Sequence, residues 1–132
     1  MTQEDKELLL KDLCARLPYG TLVYAQNAND WYDDEISNQV LSDAINEDYV
    51  IKPYLFPLSS MTEEQKKELN NIGWYFDNDT ISNSETYYSE DTDYITHTNC
   101  CSLIDWLIRN HFDFRGLIEK SLAIDATGLN IY

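Results

Sequence analysis

His97, Cys100, Cys101 and His111 bring four soft or borderline donors within fifteen residues, the ligand types a zinc ion takes. Their spacing argues against a tetrahedral cage. Adjacent cysteines project in different directions, no Cys-x2-Cys knuckle is present, and nothing near Cys14 supplies a second clamp. Cys100 and Cys101 also precede the helix that Ser102 opens, where amide dipoles lower a thiol pKa. Glu90, Asp91 and Asp93 act in the opposite sense, because nearby negative charge disfavours a thiolate. Neither histidine is placed by sequence to serve as a base, so packing is the expected role of both thiols.

Asp77-Asn78-Asp79 begins like a calcium loop, with hard oxygen donors at alternating positions. The continuation departs from the pattern: Ile81 falls where a third ligand belongs, Ser82 where the turn needs glycine, and Tyr88 where a bidentate glutamate belongs. A solvated hairpin tip is the plainer expectation. The chain has no phosphate-binding loop, dinucleotide glycine pattern, nucleophile elbow or HExxH. Any carboxylate pair for acid–base work would be drawn from 24 acidic residues, so no pair stands out. The sequence predicts no catalytic residue, no metal and no cofactor, hence a protein that is not an enzyme; a small Cys/His metal protein or enzyme is the alternative from another class.

Two stretches set aromatic rings among acids: Asp30, Trp31, Tyr32, Asp33, Asp34 and Glu35, and then Glu85, Tyr87, Tyr88, Glu90, Asp91 and Asp93. Aromatic anchors inside a charged rim are the make-up of a binding surface. The formal net charge is −15, beyond the magnitude of about 2 to 8 that suffices to keep a small domain in solution. Residues 21–60 hold −6 of it and residues 61–98 hold −7, while both ends are nearly neutral. Such a field repels nucleic acid and anionic membrane and steers basic partners toward itself. The expected partner is a basic protein surface, including that of a nucleic-acid-binding protein; direct nucleic-acid and membrane binding are not expected. In a sharper alternative the carboxylates mimic phosphates and inhibit a nucleic-acid enzyme. The bland alternative is a solvated acidic face with some tyrosines buried.

The elements that must position these residues follow from capping and periodicity. At 132 residues, with 43% hydrophobic and 13% aromatic, the chain can bury one core and is predicted to form a single domain, 1–132. Thr2 with Asp5 is a capping box with a short acid, and Leu9, Leu13 and Leu17 recur at helical spacing; Leu10 and Cys14 widen that stripe until Pro18 and Gly20 end it. Thr21 to Ala25 predicts a strand, and Gln26 to Asp34 an exposed loop. Residues 35–45 fit a helix through Ile36, Val40, Leu41, Ala44 and Ile45, while Ser37 and Asn38 leave an edge hairpin open; helix is the favoured reading.

Tyr49 to Leu58 is strand-like until Pro53 and Pro57 remove amide donors, which predicts an edge or an extended crossing segment. Thr62 and Gln65 form a second capping box opening a polar helix that stops near Gly73. Trp74 to Phe76 predicts a strand, Asp77 to Asp91 a polar loop or hairpin tip, and Asp93 to Thr96 another strand. Ser102 with Asp105 opens a largely buried helix, and Phe112 to Ala123 a short second one folded back on it. The expected fold class is α+β: a small antiparallel sheet of short strands packed with three to four helices. The opening MTQEDKELLLKDL has no basic region followed by a long apolar run, no apolar run is long enough to span a bilayer, and the odd set of three cysteines is a poor disulfide framework. The cytoplasm is therefore expected.

Three blocks, Lys6 to Gly20 (KELLLKDLCARLPYG), Ile51 to Thr62 (IKPYLFPLSSMT) and Asp105-Trp-Leu through His111 to Ile118 (HFDFRGLI), resemble an uncharacterised group of short proteins from gut Bacteroidales and their phages. They cover about a third of the chain and transfer no activity and no catalytic residue. The blocks lie largely in the near-neutral ends, which the resemblance casts as scaffold. The acidic middle would then hold the partner, and a phage or mobile-element setting implies a host-directed inhibitor or modulator.

Overall fold

The Thr2 hydroxyl accepts from the Asp5 amide at 3.0 Å, satisfying one of the donors a helix start leaves open. Helix α1 runs Gln3–Arg16 from that cap and tightens into a 3-10 turn, Leu17–Tyr19, with Pro18 inside it. Gly20 follows at φ +66°, a left-handed conformation that costs other residues strain. A Cβ at Gly20 would also stand 2.9 Å from Glu35 Oε1. The computed structural model describes residues 2–27, 29–45, 49–77, 80–82 and 102–132. The sequence-predicted strand at Asp93 to Thr96 lies outside them.

Strand β1 is Leu22–Gln26, and strand β2 is Trp31–Glu35, most of it in the segment Gln26 to Asp34 expected to be a loop. Asn27 explains the difference. Its side-chain Oδ1 accepts from the Asn29 and Asp30 amides at 2.9 and 2.8 Å, and its own amide donates to the Asp30 carbonyl. This folded asparagine turn closes a hairpin and returns all five residues of β2 antiparallel onto β1, Gln26 opposite Trp31 and Leu22 opposite Glu35. Helix α2, Asn38–Ile45, settles the ambiguous segment as helix. Ser37, one of the two residues that favoured a hairpin, accepts from the Val40 amide at 3.2 Å and so serves as the cap.

Strand β3, Val50–Pro57, is central in the sheet and not an edge, which corrects the proline-based expectation. Its first half pairs antiparallel with β1 as far as Val23 opposite Pro53. Its second half pairs parallel with two short strands, β6 (Phe112–Asp113) and β7 (Ile124–Asp125). The Phe56 amide donates to the His111 carbonyl, whereas the Leu55 carbonyl accepts from the Ala126 amide. Successive strand residues aim their backbone groups to opposite sides, so β6 continues the β1 side of β3 and β7 takes the other. Odd-numbered Pro53 and Pro57 thus turn their donor-less nitrogens toward the side where only the two-residue β7 pairs. Two prolines are tolerated in a central strand because one of its flanks is barely used.

Helix α3, Glu63–Asn71, carries the full reciprocal box: the Gln65 amide to Thr62 Oγ1 at 3.2 Å and the Thr62 amide to Gln65 Oε1 at 2.9 Å. Strands β4 (Tyr75–Asp77) and β5 (Thr80–Ser82) form a hairpin, with Asp77 opposite Thr80. That pairing places residues 80–82 in a strand and not in the coordination loop a calcium ion would need. Helix α4 covers residues 102–109, with Leu103, Trp106, Leu107 and Ile108 buried and Ile104 exposed.

The expected helix over Phe112 to Ala123 is absent. The Asp113 carboxylate instead gathers the amides of Arg115, Leu117 and Ile118 at 3.3, 3.0 and 2.9 Å, and Gly116 takes φ +73°. A side chain that binds nearby amides offers the backbone an alternative to a helix, and here it wins. The class is α+β, with four helices and a small sheet among the described residues. The sheet is mixed and not wholly antiparallel, because β6 and β7 join β3 in parallel. One core lies between α1, α2 and the inner face of β1 and β3, around Leu13, Val23 and Ile51; a second joins α3, α4 and Phe112 around Leu69 and Trp106; a third lies under Leu55 and Leu117.

Candidate functional site

Alternation along β2 sorts the first acidic stretch into two faces. Trp31, Asp33 and Glu35 share the open face of the sheet with Tyr24, Lys52 and Tyr54, by the register that sets Tyr24 opposite both Asp33 and Lys52. Trp31 is 60% exposed and stacks on Tyr24, with ring centroids 5.9 Å apart and planes 22° from parallel. Asp30, Asp33, Asp34 and Glu35 are all exposed. Tyr32 departs from the expected set: it is half-buried and packs on the core beneath the sheet. Burial raises its phenol pKa first, and Asp43, Tyr49 and Asp34 add to the effect.

Among the described residues, none of these four acids forms an ion pair; the paired acids are Asp5, Asp12, Glu63 and Asp105. Lys52 is the one base in the facing rows, two strands from Asp33 across Tyr24. Among the described residues, strand β2 pairs only with β1, so its outer side is a sheet edge there. The Trp31 amide donates to Asp30 Oδ1 and the Glu35 amide to Asp34 Oδ1, each at 2.8 Å. Acidic side chains that engage edge amides discourage another strand from adding there, leaving the side chains as the means of recognition. Glu85, Tyr87, Tyr88, Glu90, Asp91 and Asp93 of the second stretch lie outside the described residues, as do His97, Cys100 and Cys101 of the weighed zinc cluster.

Asp33 has one engagement of its own. Tyr54 donates its hydroxyl to Asp33 Oδ1 at 2.6 Å, and the tyrosine pKa is pushed up to about 12, by burial first and then by this carboxylate. The phenol therefore stays a donor at any neutral pH, and it orients the carboxylate without cancelling its charge. Beside the pair lies a cleft of about 250 Å³ lined by Leu22, Asp33, Tyr54, Leu129 and Ile131.

A second polar group, buried beneath the sheet, escaped the sequence reading. Helix α1 turns Asp12 and Arg16 inward, both fully buried, while Leu10 is half-buried and Cys14 is exposed, so the expected widening of the stripe lies on the wrong side. Arg16 Nε donates to Asp12 Oδ2 at 2.8 Å, Arg16 Nη2 to the Phe112 carbonyl at 2.6 Å, and Arg115 Nη1 to Asp12 Oδ1 at 2.9 Å. Both guanidiniums also sit over the Phe114 ring, at 5.6 and 4.5 Å from its centroid. Arg16 Nη1 is buried without a hydrogen-bond partner among the described residues.

Near this group, His111 adopts φ +62°, its Nδ1 lies 3.2 Å from Thr21 Oγ1, and Tyr132 stacks on its ring. Burial, then the Arg16 charge, lowers its pKa to about 4. The imidazole is thus held neutral between the Tyr132 ring and the Thr21 hydroxyl, with no carboxylate in hydrogen-bond contact among the described residues. An acid and a base four apart on one helix were the available signal for the Asp12–Arg16 pair; the partners from residues 111–115 had none. No protein-family model, curated protein or solved structure matches the chain.

Proposed function

We propose that the chain is a non-enzymatic binding protein of the cytoplasm whose β2 edge docks on a basic protein surface. The observation that supports this reading is the strand edge, open among the described residues, whose exposed acids Asp30, Asp33, Asp34 and Glu35 form no ion pair there, with Asp33 and Glu35 on the same face as a Trp31 that is 60% exposed. Like charges along one strand repel one another in the free protein, and a cationic partner relieves that repulsion while Trp31 supplies apolar area and a ring face for cation–π contact. The resemblance to short proteins of gut Bacteroidales and their phages extends the proposal to a modulator of a host protein, encoded by a phage or mobile element.

A labelled nonapeptide of alternating lysine and glycine, titrated by fluorescence anisotropy against the full chain, tests the reading. Affinity is expected to fall at least tenfold between 50 and 300 mM salt, since exposed charge contacts are screened over about 10 Å at 0.1 M. Trp31→Ala is expected to weaken binding several-fold with the thermal midpoint unchanged. Affinity indifferent to salt, or equal for a glutamate–glycine peptide, would remove the mechanism.

A further inference from the structure

Resting on that reading, we propose that the cleft between segment 129–131 and the open face of β1 and β3 is a slot for one lysine side chain of the basic partner. Its volume of about 250 Å³ lies below the roughly 300–1,000 Å³ of clefts that hold drug-sized ligands. That size suits a single side chain. Leu22, Leu129 and Ile131 make apolar walls, and Leu129 and Ile131 stay 48% and 36% exposed in the free protein. Among the described residues, the only charge on the lining is Asp33.

A narrow apolar sleeve with one carboxylate complements a side chain made of an aliphatic stem and a cationic head. The two cationic side chains are told apart by the state of that carboxylate. Tyr54 already donates to Asp33 Oδ1, and Oδ2 has no partner among the described residues. A guanidinium gains most from two parallel bonds to both oxygens, whereas an ammonium is a point charge that needs one. The geometry therefore favours lysine. The peptide's next basic residue then falls near Trp31, two residues from Asp33 on the same face and about 7 Å along the strand.

The experiment uses the lysine–glycine nonapeptide, its arginine twin and a norleucine version, with the wild-type chain and with Asp33→Asn, Asp34→Asn and Leu129→Trp. Asp33→Asn is expected to weaken the lysine peptide about tenfold and Asp34→Asn less than threefold. Leu129→Trp, which fills the slot and leaves every acid in place, is expected to match Asp33→Asn. Circular dichroism and thermal midpoints verify that all three variants fold, as substitutions at exposed positions allow. Equal effects of Asp33→Asn and Asp34→Asn, no effect of Leu129→Trp, or tighter binding of the arginine peptide would overturn the slot while leaving the docking surface intact. A wild-type chain that binds none of the basic peptides would remove the docking surface itself.

Discussion

The ring of Tyr132 lies flat on the imidazole of His111, with centroids 3.8 Å apart and planes 10° from parallel. From that position its hydroxyl accepts from the Leu22 amide and donates to the Tyr54 carbonyl, both at 2.8 Å. The β1–β3 ladder ends at Val23 opposite Pro53, so Leu22 and Tyr54 are the next pair in register. The tyrosine hydroxyl thus stands where a strand-to-strand hydrogen bond would have continued the sheet. Burial lifts the Tyr132 pKa to about 12, which keeps the hydroxyl able to donate.

Tyr132→Phe keeps the stack and removes the bridge. It is expected to cost about 0.5–1.5 kcal/mol, the net worth of one hydrogen bond, and to speed amide exchange at Leu22. Tyr132→Ala loses the ring contact as well and is expected to cost more. Hydrogen exchange at Leu22 that is identical in wild type and Tyr132→Phe would show that the bridge does not hold the strand ends.

His111 makes stability depend on pH in a defined window. Its pKa is lowered from 6.5 to about 4 in the folded chain, by burial first and then by Arg16. Between those values the unfolded chain binds the proton more readily, so this contribution is complete above pH 6.5 and is lost as pH falls toward 4. The loss is at most about 3 kcal/mol, and smaller to the extent that solvent reaches the ring. Urea midpoints between pH 7 and 4 should fall more steeply for wild type than for His111→Asn, a residue that tolerates φ +62°. Parallel curves would remove the assignment.

Asp12 is the anion between two buried or partly buried arginines. Asp12→Ala leaves Arg16 buried and uncompensated, and it is expected to destabilise by about 3–5 kcal/mol. Adding Arg16→Met removes the stranded charge together with the partnerless Nη1, so the double variant is expected to recover much of the loss. Urea unfolding of both variants decides; a double variant at least as unstable as Asp12→Ala would mean that the charge pair is not the source.

Much of the helical framework was legible because its signals are local. Thr2 and Thr62 cap the helices that follow them, and Pro18 and Gly20 end α1, through contacts reaching three or four residues. The open-face acids were legible as residues of a binding surface, yet the loop assigned to them is a strand: its pairing depends on the Asn27 turn returning the chain onto β1. Tyr32 could not be separated from Trp31 while the strand was unseen, since only period-two alternation sends one ring inward and the next outward. The same blindness hid the cleft, whose walls come from β1, β2, β3 and segment 129–131.

By itself the sequence determined the α+β class, the starts of α1 and α3, the acidic excess and the chain segments that carry it. Tertiary structure alone decided that two prolines sit in a central strand, that Asp12 and Arg16 face the core, and that Tyr132 meets His111. The reason is the range of the interactions: caps and turns are completed by neighbours in the chain. The placement of β3 beside β1, the Asp12–Arg115 pair and the His111–Tyr132 stack join residues about twenty to more than a hundred positions apart, and they exist only once the packing of the layers has brought those residues together.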